Sequence, residues 1–157
     1  GVSVEAGIAE DMYENLLCIG HYFMPGAEEL LETLHGKYHL YICSNGSKKV
    51  QDSRIASSGI AKYFDGIFIS EEMGLNKPDK RYFEACFAQI PDFKRENSIM
   101  VGDSLTSDIK GARNAGLRSV WFNPAHKAMT GDAAPDYEID ALEKLPILLA
   151  ELSEVSE

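Results

Sequence analysis

Two carboxylates, Asp103 and Asp108, stand at the end of the apolar run Ser98-Ile-Met-Val-Gly102 and five residues further on. Carboxylates at the mouth of a strand-to-helix turn suit a hard divalent cation such as magnesium, which takes one or two of them together with phosphate oxygens. In an α/β sheet, ligands occupy the crevice outside the carboxyl ends of the strands, where such a turn lies. The plainer reading is that Asp103 closes a strand and Asp108 complements a helix dipole from the first turn. Two more stretches favour phosphate chemistry. In Tyr38-His-Leu-Tyr-Ile-Cys-Ser-Asn-Gly46, a buried strand runs into Ser44, Asn45 and Gly46, with Ser47 as the N-cap of a following helix. A hydroxyl, an amide and the N–H groups of a helix start match an anionic oxygen. In Glu71-Glu-Met-Gly-Leu-Asn-Lys-Pro-Asp-Lys80, Pro78 suits the first position of a helix and holds Lys77 extended before it. A solvated surface lysine is the ordinary alternative.

Taken in this order, the three stretches resemble motifs two, three and four of the haloacid dehalogenase superfamily. The combination of Ser44-Asn45-Gly46, Lys77-Pro78-Asp79, Gly102-Asp103-Ser104 and Asp108 is far more specific than any one piece. Ile69 to Lys80 and Val120-Trp-Phe-Asn-Pro124 look most like its pyrimidine 5′-nucleotidase branch. The resemblance implies a magnesium-dependent phosphohydrolase acting on small phosphate monoesters, nucleoside 5′-monophosphates above all. Ser44, Asn45, Gly46 and Lys77 would bind the phosphate, Ser44 and Lys77 serving catalysis. Asp103 would ligate Mg2+, and Asp108 would either assist through water or brace Lys77. The family's enzymes begin with a strand ending in Asp-x-Asp, whose first Asp forms an aspartyl-phosphate. No Asp-x-Asp occurs in these residues. The chain therefore reads as a C-terminal portion without the nucleophile, inactive by itself. Strand one would sit between the strands carrying Ser44 and Asp103, and its gap would be closed by collapse, by an N-terminal fragment or by a second copy. A 2-haloacid dehalogenase, which needs no metal, and a non-catalytic binder of a phosphorylated ligand are the alternatives.

Positioning these groups requires strands that end together. Helices are expected from Pro25 to about His35, over 47–58 stopped by Gly59, over 78–89, over 106–115 stopped by Gly116, and from about Pro146. Strands are expected at 38–43, 66–69, 98–101, 118–122 and 137–139, with a loop from Phe122 to Pro135. Alternation of this kind predicts an α/β fold, a parallel sheet with helices on both faces. The resemblance narrows it to a Rossmann-like three-layer sandwich lacking its central first strand. Ile8, Met12 and Leu16 recur four apart, which fits an amphipathic helix; the resemblance implies that residues 1–22 are the remnant of a helical cap and 23–157 the core.

A net charge of −10 argues against nucleic-acid polymers and anionic membranes as partners, whereas one phosphate can be held by local donors and a metal. Cys18, Cys43 and Cys86 are far apart in apolar settings, and His21, His35, His39 and His126 lack ligand spacing. Trp121, Phe122 and Asn123 read as core and turn, with the site as their alternative neighbourhood. Nothing resembles a targeting or membrane-spanning segment, so the expected compartment is the cytoplasm.

Overall fold

The apolar runs become short parallel strands because each is flanked by helices that cover it. The structure, a computed structural model, describes residues 13–131 and 134–154; the helical spacing of Ile8 and Met12 lies outside them. Residues 13–17 are helical. The chain then runs through α1 (Ala27–Leu34), β1 (Tyr41–Ser44), α2 (Lys48–Ser58), β2 (Gly66–Ile69), the single turn α3 (Ser70–Met73) and α4 (Lys80–Phe87). There follow β3 (Ile99–Gly102), α5 (Lys110–Ala115), β4 (Arg118–Phe122), β5 (Tyr137–Ile139) and α6 (Leu145–Glu154). Among the described residues no helix is long and apolar enough to cross a membrane.

The strands form two parallel groups. β1 pairs with β2, and β3-β4-β5 form a second ladder in that order. Alternating side chains assign the layers. Tyr41 and Cys43 of β1, Phe68 of β2 and Met100 of β3 pack with Tyr82, Phe83 and Cys86 of α4 and Ala115 of α5. Ile99 and Val101 of β3 and Val120 of β4 pack on the opposite face with Leu34 of α1 and Leu145 of α6. One core cluster thus spans both strand groups, and the layers run helix, sheet, helix.

Several helix starts differ from expectation. Pro25 lies before α1, which Gly26 caps in a left-handed conformation (φ 77°). Pro78 is not the first helical residue of α4: Asp79 caps the helix, its carboxylate accepting the Arg81 N–H at 2.8 Å, and the Lys77-Pro78 peptide is cis. The expected helix over 106–115 divides into a wide π-helical turn, Leu105–Ile109, and α5. Ser104 caps this turn through its hydroxyl, which accepts the Ser107 N–H at 3.2 Å.

α5 approaches α4 through a glycine. A Cβ on Gly111 would lie 2.5 Å from Phe83 Cε2 and 3.3 Å from the Pro78 backbone. Gly111→Ala is therefore expected to push the helices apart at a cost of about 1–3 kcal/mol. Urea unfolding should show a lower midpoint with an unchanged slope.

Candidate active site

Lys77 joins the two strand groups. Its Nζ donates to the Cys43 carbonyl of β1 at 2.5 Å and to Asp108 Oδ1, just beyond β3, at 2.7 Å. The Lys77 and Asp108 side chains are only 7% and 8% exposed. This one ammonium brings the carboxyl ends of β1 and β3 to a common edge despite their separation in sequence. Lys77 is itself held by Asn45. The Asn45 amide donates through Nδ2 to the Lys77 carbonyl and accepts the Lys77 N–H at Oδ1, both at 2.9 Å. Both polar ends of that side chain are thus engaged by one backbone unit.

The neighbouring turn is equally constrained. Gly46 N–H donates to the hydroxyl of buried Ser70 at 3.0 Å. Ser47 occupies the N-cap of α2 as expected, but its hydroxyl makes no cap bond; the Lys48 N–H of the first turn donates to Glu71 Oε2 at 2.7 Å. Behind the loop, a hydrogen bond from the free Cys86 thiol, with help from the Lys77 ammonium, draws the Cys43 thiol below its ordinary range against the opposing effect of burial.

On the other strand group, Asp108 Oδ2 accepts the Ser104 N–H at 3.1 Å, so both carboxylate oxygens are committed. Gly102 makes room for that carboxylate. Asp103 is exposed, and its carbonyl accepts the indole N–H of Trp121 at 3.0 Å. Neither the Ser44 hydroxyl nor the Asp103 carboxylate has a hydrogen-bond or ion-pair partner among the described residues. An exposed, unpaired carboxylate is the donor type that Mg2+ selects, since that ion keeps several waters and takes few protein ligands. Among the described residues no three His, Cys, Asp or Glu side chains gather as a metal cluster, so the described part of the chain contributes a partial donor set.

The sequence did not single out Ser70 or the Cys43 carbonyl as parts of this edge, and it offered the site only as the alternative neighbourhood of Trp121, whose indole reaches the Asp103 carbonyl. Ser70 carried a signal, a small hydroxyl residue at the end of an apolar run. The other two act through contacts that no local pattern encodes.

Comparison with known proteins agrees with the geometry. A family of haloacid dehalogenase-like hydrolases matches residues 3–116. YfnB of Bacillus subtilis is 40% identical over 145 residues, covering 92% of this chain and 62% of that protein. Its crystal structure, bound to magnesium, superposes with a TM-score of 0.90 over 95% of this chain and 65% of YfnB. The pyrimidine 5′-nucleotidases PynA of Streptococcus pneumoniae and YjjG of Escherichia coli are 41% and 34% identical, covering 78% and 94% of this chain. The chain spans 52% of PynA and 66% of YjjG. A match over most of the chain, carried by a shared Rossmann-like α/β fold, makes this chain a member of the haloacid dehalogenase-like hydrolase family.

Proposed function

We propose that this chain is the phosphate-handling part of a magnesium-dependent phosphohydrolase for small phosphate monoesters, nucleoside 5′-monophosphates foremost. The observation that carries the reading is a buried lysine fixed between the ends of two strands, beside a hydroxyl and a carboxylate with no partner among the described residues. Its likeness to two pyrimidine 5′-nucleotidases supports the nucleotide over other esters. In this reading residues 23–157 form the catalytic core and 1–22 the remainder of a cap.

Each residue then has a task. The Ser44 hydroxyl binds a phosphate oxygen, and the Ser44-Asn45-Gly46 turn forms the wall of the phosphate site. Lys77 neutralises phosphate charge from a position where little water screens it. Asn45 serves by holding the Lys77 backbone, and Ser70 by holding Gly46. Asp108 braces Lys77, one of the two roles that the sequence left open for it. Asp103 is the carboxylate that would hold Mg2+, an ion that supplies Lewis-acid stabilisation of phosphoryl oxygens when bound. The attacking carboxylate of the family's aspartyl-phosphate route is not among these 157 residues, so these side chains bind, orient and neutralise.

The test is phosphate release from a panel of nucleoside monophosphates by the full-length gene product, with and without Mg2+. Release should require the metal, and Asp103→Asn should lower kcat/KM by about 100-fold or more. Turnover of a 2-haloacid without metal, in place of phosphate release, would overturn the reading in favour of a dehalogenase. Binding of nucleotide with no turnover would leave a binding protein.

A further inference from the structure

Trp121 belongs to β4, where its backbone lies opposite Gly102 of β3. Its side chain is 3% exposed and reaches one residue further along the neighbouring strand, where the indole N–H meets the Asp103 carbonyl. The ring also packs against Ile109, which is fully buried, and Leu105. Those two residues begin and end the π-helical turn that carries Asp108. One side chain therefore meets the acidic segment at its start and shares a buried cluster with the end of its turn.

The physical consequence concerns Asp103 more than the core. The ladder with β4 ends at Gly102, so among the described residues no strand pairing fixes the orientation of the Asp103 peptide. The direction of the Asp103 side chain follows from the dihedral angles on either side of its Cα, and the carbonyl is part of one of those peptide planes. A buried donor on that carbonyl pins the plane, while the exposed carboxylate stays free for a ligand.

We propose that Trp121 is a positioning residue for metal binding, its indole N–H orienting Asp103 by way of the backbone carbonyl. This rests on the reading of Asp103 as a magnesium ligand. Residues that orient metal ligands without touching the metal carry a measurable share of metal affinity.

Trp121 is the only tryptophan among these 157 residues, so, once any tryptophan elsewhere in the full-length gene product is replaced by phenylalanine, biosynthetic substitution of tryptophan by 3-benzothienylalanine alters this position alone. The analogue keeps the fused-ring shape and has sulfur where the indole has N–H. Mn2+ serves as the probe, its affinity for the full-length gene product read by electron paramagnetic resonance well below the unfolding temperature. The analogue should weaken Mn2+ binding about 10-fold. As a control, Ile139→Val should lower stability through the core on the other face of the sheet and leave Mn2+ affinity unchanged. Equal affinity in the native and benzothienyl proteins would overturn the positioning role. Failure of the native full-length protein to bind Mn2+, or binding that Asp103→Asn leaves intact, would instead remove the metal reading of Asp103, and this inference with it.

Discussion

Asp108→Asn is expected to lower the unfolding free energy by about 3–5 kcal/mol, the range for breaking a buried ion pair on one side. The substitution keeps the size of the side chain and an oxygen that can accept from Lys77. What it removes is the negative charge facing an ammonium whose side chain is 7% exposed. The Cys43 carbonyl remains as an acceptor, but a neutral dipole cannot replace a counter-ion for a desolvated charge. The double variant Lys77→Met with Asp108→Leu removes both charges and fills the same space, so it should recover much of the loss. Urea unfolding of the three variants decides the matter. A loss under about 1 kcal/mol for Asp108→Asn would place the pair with ordinary surface bridges, reached by water in solution.

Gly102→Ala is the second large effect. A Cβ at Gly102 would lie 2.4 Å from Asp108 Oδ2 and 2.5 Å from Asp108 Cβ and Cγ, closer than atoms approach without bonding. Asp108 has little room to retreat, because Ile109 beside it is fully buried against Trp121. The added methyl must therefore turn the carboxylate away from Lys77 or open the strand end. Either outcome adds the loss of the ion pair to the cost of overpacking, for a total of about 3 kcal/mol or more. The two routes converge on one interaction, so Gly102→Ala and Asp108→Asn should be strongly non-additive when combined. Additive losses would show that Gly102 acts on something other than the Lys77 pair.

Most strands and helices were legible because hydrophobic periodicity and punctuation are local. β2, β4 and β5 have the expected limits, and Gly59 and Gly116 end their helices in the left-handed conformation expected of helix-terminating glycines. The helix starts were less legible. Asp79 outcompeted Pro78 for the beginning of α4 because a carboxylate on a free N–H gains a hydrogen bond that proline's fixed φ alone does not. At α2, Ser47 sits at the N-cap with no side-chain bond, and Glu71 from another element accepts the Lys48 N–H.

The candidate site divides along the same line. Its residue types, their order and the carboxyl ends of strands on which they fall followed from the sequence, because each motif is a short run whose chemistry is carried by its own side chains. The sequence also determined that no Asp-x-Asp accompanies them. Which of those side chains bond one another was decided only by the tertiary structure. Asn45 holds Lys77, Asp108 pairs with it, and Trp121 bonds the Asp103 carbonyl, leaving the Asp103 carboxylate without a partner among the described residues; the three bonds span 32, 31 and 18 positions. Hydrophobic pattern specifies which face of a strand or helix is buried. It carries no information about which polar group on a neighbouring element will meet a given donor, and that pairing exists only once the layers have packed.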